Sequence, residues 1–399
     1  MKRRHGATIL LAVLTACRTA APLPTPVTAA VAVPESLGFD AAALGRVTEY
    51  LRTQVDSAFP GAVVAVGRHG RLALLAAVGE YGVNDRRPID VTTLYDLASL
   101  TKVIALTTAC MILVDEGKLD LDAPVQRYLP EFLGAQKDRV TIRLLLTHTA
   151  GLAADLPLFD STRTRAAALA LVDTSALLAP PGSTFVYSDL SAIVMMQVVE
   201  RLTGQPFDAY LQARVFGPLG MTSTRFVPPK SWLSHIAPTE NDTMFRHRWL
   251  RGEVHDESAA RLGGVSGNAG LFSNAPDLAK FAAWLLETDL DHPGPSASVL
   301  VRPAVVQAFV QRQNIPPGST RALGWDTPSD SGYSSAGSIL SRKSFGHTGY
   351  TGTSIWMDPE RDLFVILLTN RVNPTRANIK ILQVRPRVAD LVAQALTQP

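Results

Sequence analysis

Asp96-Leu97-Ala98-Ser99-Leu100-Thr101-Lys102-Val103 opens a run to Glu116 in which Leu100, Val103, Ile104, Leu106, Ala109, Met111, Leu113 and Val114 cover nearly every side of a helical wheel. A helix that is apolar all round has no solvent face and belongs inside a core. Gly117 supplies its stop. Ser99 and Lys102 are three residues apart, which makes them neighbours on a helix surface. A serine hydroxyl is a weak nucleophile without an adjacent base, and burial lowers the pKa of a lysine toward the range where its amine can be that base. The S-x-x-K pattern occurs once in the chain. Two expectations follow: a domain layered around this helix, and a serine nucleophile at its start.

Toward the N-terminus, residues 62–66 and 72–78 are aliphatic runs separated by Gly67-Arg68-His69-Gly70, a hairpin pattern. Toward the C-terminus, residues 353–357 and 363–369 read as a second hairpin joined by Asp358-Pro359-Glu360-Arg361-Asp362. Residues 386–397 form an amphipathic closing helix with Val388, Leu391, Val392 and Leu396 on one face. The Ser- and Gly-rich stretch 327–344 reads as a surface loop. In the middle, helical segments (191–202, 207–215) alternate with Pro and Gly turns. The expected class is α/β (α+β): an antiparallel sheet of N- and C-terminal strands flanked by helices, plus an inserted, mostly helical domain. Residues 36–117 and 265–399 would make the α/β part and 118–264 the helical part.

Of the 399 residues, 46% are hydrophobic and 18% charged, which excludes a disordered chain. A formal net charge of +3 leaves no electrostatic footprint for nucleic acid. Lys2, Arg3 and Arg4 carry that excess, and the rest of the chain is formally balanced. Two cysteines cannot build a disulfide scaffold or a multi-Cys zinc site. Residues 1–16 read as a secretory signal: a basic cluster, then an apolar stretch over 7–16, well short of the ~20 residues a membrane span needs. Leu14-Thr15-Ala16-Cys17 resembles the lipobox of bacterial lipoproteins. The resemblance implies cleavage before Cys17 and lipidation of its thiol. Residues 18–35, with Pro22, Pro24, Pro26 and Pro34, read as an extended tether. The expected location is outside the cytoplasm, anchored by lipid to a bacterial membrane and facing the periplasm or the cell surface.

Two further motifs bear on the chemistry. Tyr187-Ser188-Asp189 places a phenol where it can relay a proton. His347-Thr348-Gly349 precedes Tyr350, whose backbone N–H can point at an oxyanion. Each is uninformative alone, but with Ser99-Leu100-Thr101-Lys102 they form an ordered set. This set resembles the serine beta-lactamase-like hydrolases, which include class C beta-lactamases, D-alanyl-D-alanine carboxypeptidases and related esterases and amidases. Leu119-Asp120-Leu121-Asp122-Ala123-Pro124-Val125, Tyr128-Leu129-Pro130, Leu144-Leu145-Leu146-Thr147-His148-Thr149-Ala150-Gly151-Leu152 and Gly270-Leu271-Phe272-Ser273 extend the likeness over about residues 40–399. The stretches 251–257, 263–265 and 347–353 look nearest to a cell-wall-associated subgroup near penicillin-binding protein 4B.

The resemblance implies a beta-lactamase/transpeptidase-like fold and a role for each motif. Ser99 would attack a carbonyl and be acylated, Lys102 would take its proton, and Tyr187 would protonate the leaving group. The N–H groups of Ser99 and Tyr350 would form the oxyanion hole, and Asp189, His347, Thr348 and Gly349 would contact substrate. No cofactor or metal is expected. Two departures stand out. Asp189 replaces an Asn that would bind a substrate amide. His347 replaces a Lys that would hold a substrate carboxylate, and histidine is a cation only below about pH 6.5 unless its surroundings shift it. Both favour peptidase, amidase or esterase activity over efficient beta-lactam hydrolysis. The expected substrate is a small molecule or peptide, with peptidoglycan a candidate; a beta-lactamase and a non-catalytic penicillin- or peptidoglycan-binding lipoprotein are the alternatives. His235, His247, His255, Asp256 and Glu257 match no helical metal-ligand spacing and read as polar loop residues lining the cleft. His148 reads as structural, and Cys110 as a packing residue. No G-x-S-x-G elbow occurs.

Overall fold

The computed structural model describes residues 30–289 and 300–397. Six antiparallel strands form the main sheet, in the order Asp85–Pro88, Arg71–Gly82, Gly61–Arg68, Leu363–Thr369, Ser354–Asp358, Phe345–Thr348. Both hairpins form where their sequences place them. The first turns through His69 and Gly70, both in the left-handed region (φ 54° and 66°) that a tight hairpin turn demands. The two halves of the chain meet at the centre, where Val64 opposes Leu367 and Ala65 opposes Ile366.

Strand alternation divides the core in two. Val63, Ala65, Phe364, Ile366 and Leu368 point to one face and join a large cluster with Val103, Leu113, Ile193 and Phe281. Ala62, Val64, Val66, Leu363, Val365 and Leu367 point to the other and pack on Leu44, Val47, Val388 and Val392. The helices Ala41–Gln54 and Ile381–Gln394 cover that second face. Their ends are tied together, since Asp40 N–H donates to the Ala395 carbonyl at 2.8 Å. The helices of the middle region pack into the same cluster as the first sheet face, so Ile193 and Phe207 share one core with Val63 and Ile366.

The apolar run after Ser99 is buried throughout. It opens with a wide, π-type stretch over Lys102–Thr107 and continues as an α-helix over Thr108–Asp115; such wide turns recur at functional sites. Gly117 follows at φ 69°. Cys110 is fully buried, and burial pushes its thiol pKa up, which suits a packing role. The closing helix spans Ile381–Gln394, five residues earlier than expected, with Pro386 inside it. Pro386 tempts a reading of a helix start, because proline favours a first turn. Here an added turn precedes it, and that turn carries Arg385. Residues 327–344 contain no regular element, as expected of a loop. The signal and Cys17 lie outside the described residues. Among the described residues no helix is long and apolar enough to cross a membrane.

Ile366 lies on a central strand, buried in the large cluster on the first sheet face. Ile366→Ala should lower unfolding stability by about 2–5 kcal/mol. In urea denaturation the midpoint should fall while the slope stays constant.

Candidate active site

Ser99 sits at a strained corner between a short strand and the buried helix. Tyr95–Asp96 pairs with Leu271–Ser273, and the chain then turns sharply through Ala98, at φ 47°. A non-glycine residue in that region is costly and persists only where its surroundings fix it. The fixing group is Asp96. Its carboxylate accepts the Ala98 N–H at 2.8 Å and the His255 N–H at 2.6 Å. Thr101 hydroxyl in turn accepts the Leu271 N–H at 3.1 Å. The corner leaves Ser99 partly exposed at the mouth of a cavity while its neighbours on the helix are buried.

Lys102 is 3% exposed, and its ammonium is fully engaged. It donates to Ser99 Oγ at 3.1 Å and to the Asn268 carbonyl at 3.0 Å, and lies 2.6 Å from Asp189 Oδ1. The expected depressed lysine pKa is not what this geometry gives. Burial alone pushes the pKa down, but the carboxylate of Asp189 and the phenol of Tyr187 outweigh it, and the net shift is upward. In the resting protein Lys102 is therefore a cation hydrogen-bonded to the serine rather than a free amine. Asp189, read from sequence as a substrate contact, is placed here as the counter-ion of Lys102. Asn268 links this pair to a further carboxylate, because its side-chain amide donates to Asp256 Oδ1 at 3.1 Å. Burial, reinforced by the charge of Asp189, raises the Asp256 pKa to about 6.

Tyr187 is placed by a histidine. Val186 N–H donates to the His148 carbonyl at 3.0 Å, and Ser188 N–H donates to His148 Nδ1 at 3.1 Å. Ser188 also caps the helix Asp189–Thr203, accepting the Ser191 N–H. The Tyr187 ring lies 4.7 Å from the His148 ring, 5.8 Å from the His347 ring and 4.9 Å from Lys102 Nζ. His148 is thus structural, as its sequence context suggests, and what it structures is the tyrosine.

The third motif reaches the site through Gly349. A Cβ there would run into the Leu97 carbonyl and the Thr353 hydroxyl. The glycine thus lets this loop approach closely the segment that leads from the short strand to Ser99. Thr351 Oγ1 donates to the Asp96 carbonyl at 2.7 Å and Thr353 Oγ1 to the Leu97 carbonyl at 2.9 Å. Behind the loop, Arg385 donates to the Gly349 and Thr353 carbonyls at 2.6 and 2.9 Å. Arg371 donates to the Tyr350 carbonyl at 2.7 Å and lies 4.3 Å from the ring centroid of Tyr350. His255, itself 2.9 Å from Glu240, stacks on the same ring at 5.7 Å. Among the described residues no acceptor takes the N–H of Ser99 or Tyr350, so both amides are available to an incoming oxyanion.

His347 is buried, and its Nδ1 donates to the Thr348 carbonyl at 2.8 Å. Burial, then the charges of Arg321 and Lys102, hold its pKa well below the usual value. The direction of that shift favours the neutral imidazole at physiological pH.

Ser99, Tyr187, His347, Thr348, Gly349 and Tyr350 all line one cavity of about 880 Å³. Three arginines, Arg321, Arg371 and Arg385, line it too. Nothing in the sequence pattern singled these out, beyond a lone arginine following Pro316-Pro317-Gly318-Ser319-Thr320. The expectation that His235, His247 and His255 line the cleft is not met: His247 is exposed, and His255 is buried behind Tyr350. Among the described residues no group of acidic, His and Cys side chains is arranged to hold a metal ion.

Comparison with known proteins places this geometry. A family model described as Beta-lactamase matches residues 47–388. A Salmonella agona (strain SL483) protein named "Putative D-alanyl-D-alanine carboxypeptidase" is 31% identical over 385 residues, covering 88% of each chain. Its Salmonella typhi counterpart of the same name is equally similar. Among solved structures, EstCE1, "a hydrolase with promiscuous acyltransferase activity", superposes with a TM-score of 0.71 at 24% identity, covering 88% of this chain and 99% of that one. A penicillin-binding protein homologue from Caulobacter crescentus gives 0.70 at 23% identity, over 90% and 97%. These two likenesses concern the fold.

Two outcomes follow from the charges. Because the Lys102 pKa is raised in the native state, its contribution to stability is complete below the ordinary lysine value of about 10.4 and is lost only as pH climbs through the native value. Its ¹³Cε NMR signal should not titrate up to about pH 10, and Asp189→Asn, which leaves burial without its counter-charge, should bring the titration to lower pH. For His148 and His347 the sign is opposite. Both are held below 6.5, so the stability they contribute is present above about pH 6.5 and lost as pH falls toward their native values. The melting temperature should drop between about pH 7 and pH 5, less steeply in His347→Gln, as read by calorimetry.

Proposed function

This chain belongs to the beta-lactamase family of serine hydrolases, and from that premise we propose that it is a D-alanyl-D-alanine carboxypeptidase-like enzyme acting through an acyl-serine on cell-wall peptides. The observation that carries the reading is the Ser99–Lys102 contact at 3.1 Å, at the mouth of a cavity lined by Tyr187 and by cationic side chains. The name of the 31% identical relative supports the substrate class.

In the proposed sequence Ser99 Oγ attacks the carbonyl of the penultimate residue. Lys102 already holds its proton, so the Tyr187 hydroxyl works as a relay: it takes the serine proton as it passes its own to the leaving nitrogen, and the ammonium steadies the negative charge that develops between Ser99 and Tyr187. The proton path thus runs through Tyr187, with Lys102, which the family resemblance makes the base, as its charged partner. The N–H groups of Ser99 and Tyr350 receive the oxyanion, an interaction of the kind worth about 3–4 kcal/mol. The amine departs with the proton that Tyr187 has relayed, and water cleaves the acyl-serine by the reverse path. Asp189, occupied by Lys102, cannot serve as the amide-binding group that an Asn would be. That supports peptidase over beta-lactamase chemistry. Export and lipid attachment at Cys17 are part of the same proposal and rest on residues 1–17 of the sequence.

A panel of purified protein with an acyl-D-Ala-D-Ala peptide, nitrocefin and p-nitrophenyl esters tests the reading. We expect D-alanine release to exceed nitrocefin turnover. Tyr187→Phe should cost about 10²–10⁴-fold in kcat. Ser99→Ala should abolish both turnover and labelling by a fluorescent penicillin. Equal labelling of wild type and Ser99→Ala would remove Ser99 as nucleophile, and ester turnover without D-alanine release would make the enzyme an esterase.

A further inference from the structure

A trans peptide is planar and carries its carbonyl and its N–H on opposite sides. The peptide joining Gly349 to Tyr350 is trans. The Tyr350 N–H, one of the two amides open to an oxyanion, therefore shares one rigid plane with the Gly349 carbonyl. Whatever grips that carbonyl sets the direction of that N–H. Two donors grip it: Arg385 Nη2 at 2.6 Å and the Gly352 N–H at 3.0 Å. The same nitrogen of Arg385 donates to the Thr353 carbonyl at 2.9 Å, and that carbonyl also accepts the Gly349 N–H at 2.8 Å. The guanidinium thus closes both ends of the turn that carries the oxyanion amide.

Arg385 is a costly group with which to hold a turn. It is 6% exposed. Burial pushes its pKa down to about 10, which still leaves a cation at neutral pH; Tyr333 and Arg371 also bear on its charge, and no carboxylate stands among them. A charge buried without a counter-ion is destabilising, and a neutral amide side chain could satisfy the same carbonyls. What the charge adds is polarisation. A charge-assisted hydrogen bond is about twice as strong as a neutral one. Electron density drawn toward the Gly349 oxygen makes the N–H of the same amide a stronger donor, as in any chain of hydrogen bonds. Arg371 differs, because it donates to the Tyr350 carbonyl, which belongs to the following peptide. The Ser99 amide also differs: its partner carbonyl, that of Ala98, accepts only a backbone N–H, from Thr101 at 3.0 Å. Resting on the acyl-serine reading, we propose that Arg385 is a positioning residue of the oxyanion hole, whose guanidinium holds and polarises the Gly349 carbonyl and so aims and strengthens the Tyr350 N–H. It acts through one amide rather than on the substrate.

A p-nitrophenyl ester and phenylboronic acid test this on the purified protein. The ester reports acylation of Ser99 without requiring D-alanine recognition, and the boronate adduct of Ser99 is a tetrahedral anion that mimics the transition state. Arg385→Gln should lower kcat for acylation by about 10- to 100-fold, the range of a hydrogen bond to a charged group, with KM little changed. Phenylboronate affinity should fall by a like factor. In a ¹³C-labelled acyl-enzyme the infrared carbonyl stretch should move to higher wavenumber, as a weaker donor dictates. Arg385→Lys, which keeps the charge, should lose less on each measure, and it carries the comparison if Arg385→Gln does not fold. Guanidinium ion at millimolar, non-denaturing concentration should rescue Arg385→Ala, and urea, its neutral counterpart in shape, should rescue it far less. A slower rate with boronate affinity and carbonyl stretch unchanged, a loss confined to KM, or equal rescue by urea would overturn the assignment. If ester and boronate respond as stated but no D-alanine leaves the peptide, the carboxypeptidase reading fails and the role of Arg385 stands. If the ester leaves Ser99 unacylated, the acyl-serine reading fails and the assignment falls with it.

Discussion

A lysine ammonium buried to 3% exposure governs the architecture of this protein. Taking that charge out of water costs several kcal/mol unless its hydrogens are met and an opposite charge is close. Three groups meet them, and they come from three distant parts of the chain: Ser99, Asp189 and the Asn268 carbonyl. The nucleophile helix, the tyrosine-bearing loop and the strand return near residue 270 are thereby fixed to one point. An error in any of them would strand a charge in the core. A single buried cation thus specifies how the middle of the chain must pack on the sheet, which apolar packing alone would leave less tightly defined.

The second constraint is the contact between the two halves of the main sheet and the nucleophile corner. Gly349 lies against the Leu97 carbonyl, and Thr351 and Thr353 donate to carbonyls of the same short segment. The amides of Ser99 and Tyr350 are separated by about 250 residues of chain, yet hydroxyl-to-carbonyl hydrogen bonds fix their relation. Tyr350 is further clamped between Arg371 and His255. His255 returns to the nucleophile through its own N–H, which Asp96 accepts. The polar groups around the site therefore form a closed circuit, in which the carboxylate that permits the strained Ala98 also holds His255, whose ring stacks on Tyr350.

Much of this was legible in the sequence because it is written in local patterns. The two hairpins, the all-round apolar helix and the order of the three motifs follow from period, turn chemistry and spacing. The shift in the closing helix was not legible, because Pro386 fits a helix start as well as a helix interior whose first turn precedes it. The charge state of Lys102 was not legible either. Spacing puts it beside Ser99, but only the fold shows that Asp189 lies 2.6 Å away, and that distance reverses the sign of the shift expected from burial. The same holds for Arg321, Arg371 and Arg385, whose sequence neighbours carry no trace of the cavity they share.

The two departures from the family's usual motifs read, in the structure, as one electrostatic arrangement. Around the Tyr187 ring stand Lys102 and Arg321, the first neutralised by Asp189 and the second partly by Asp326. A lysine in place of His347 would add a third cation within the same few ångströms, in a buried setting where like charges repel strongly. A neutral imidazole avoids that repulsion and still packs 5.8 Å from the tyrosine ring. Asp189 works in the same direction, because an asparagine there would leave the Lys102 charge uncompensated beside Arg321. One buried cation is thus balanced by Asp189, while the other lines the cavity with Asp326 beside it.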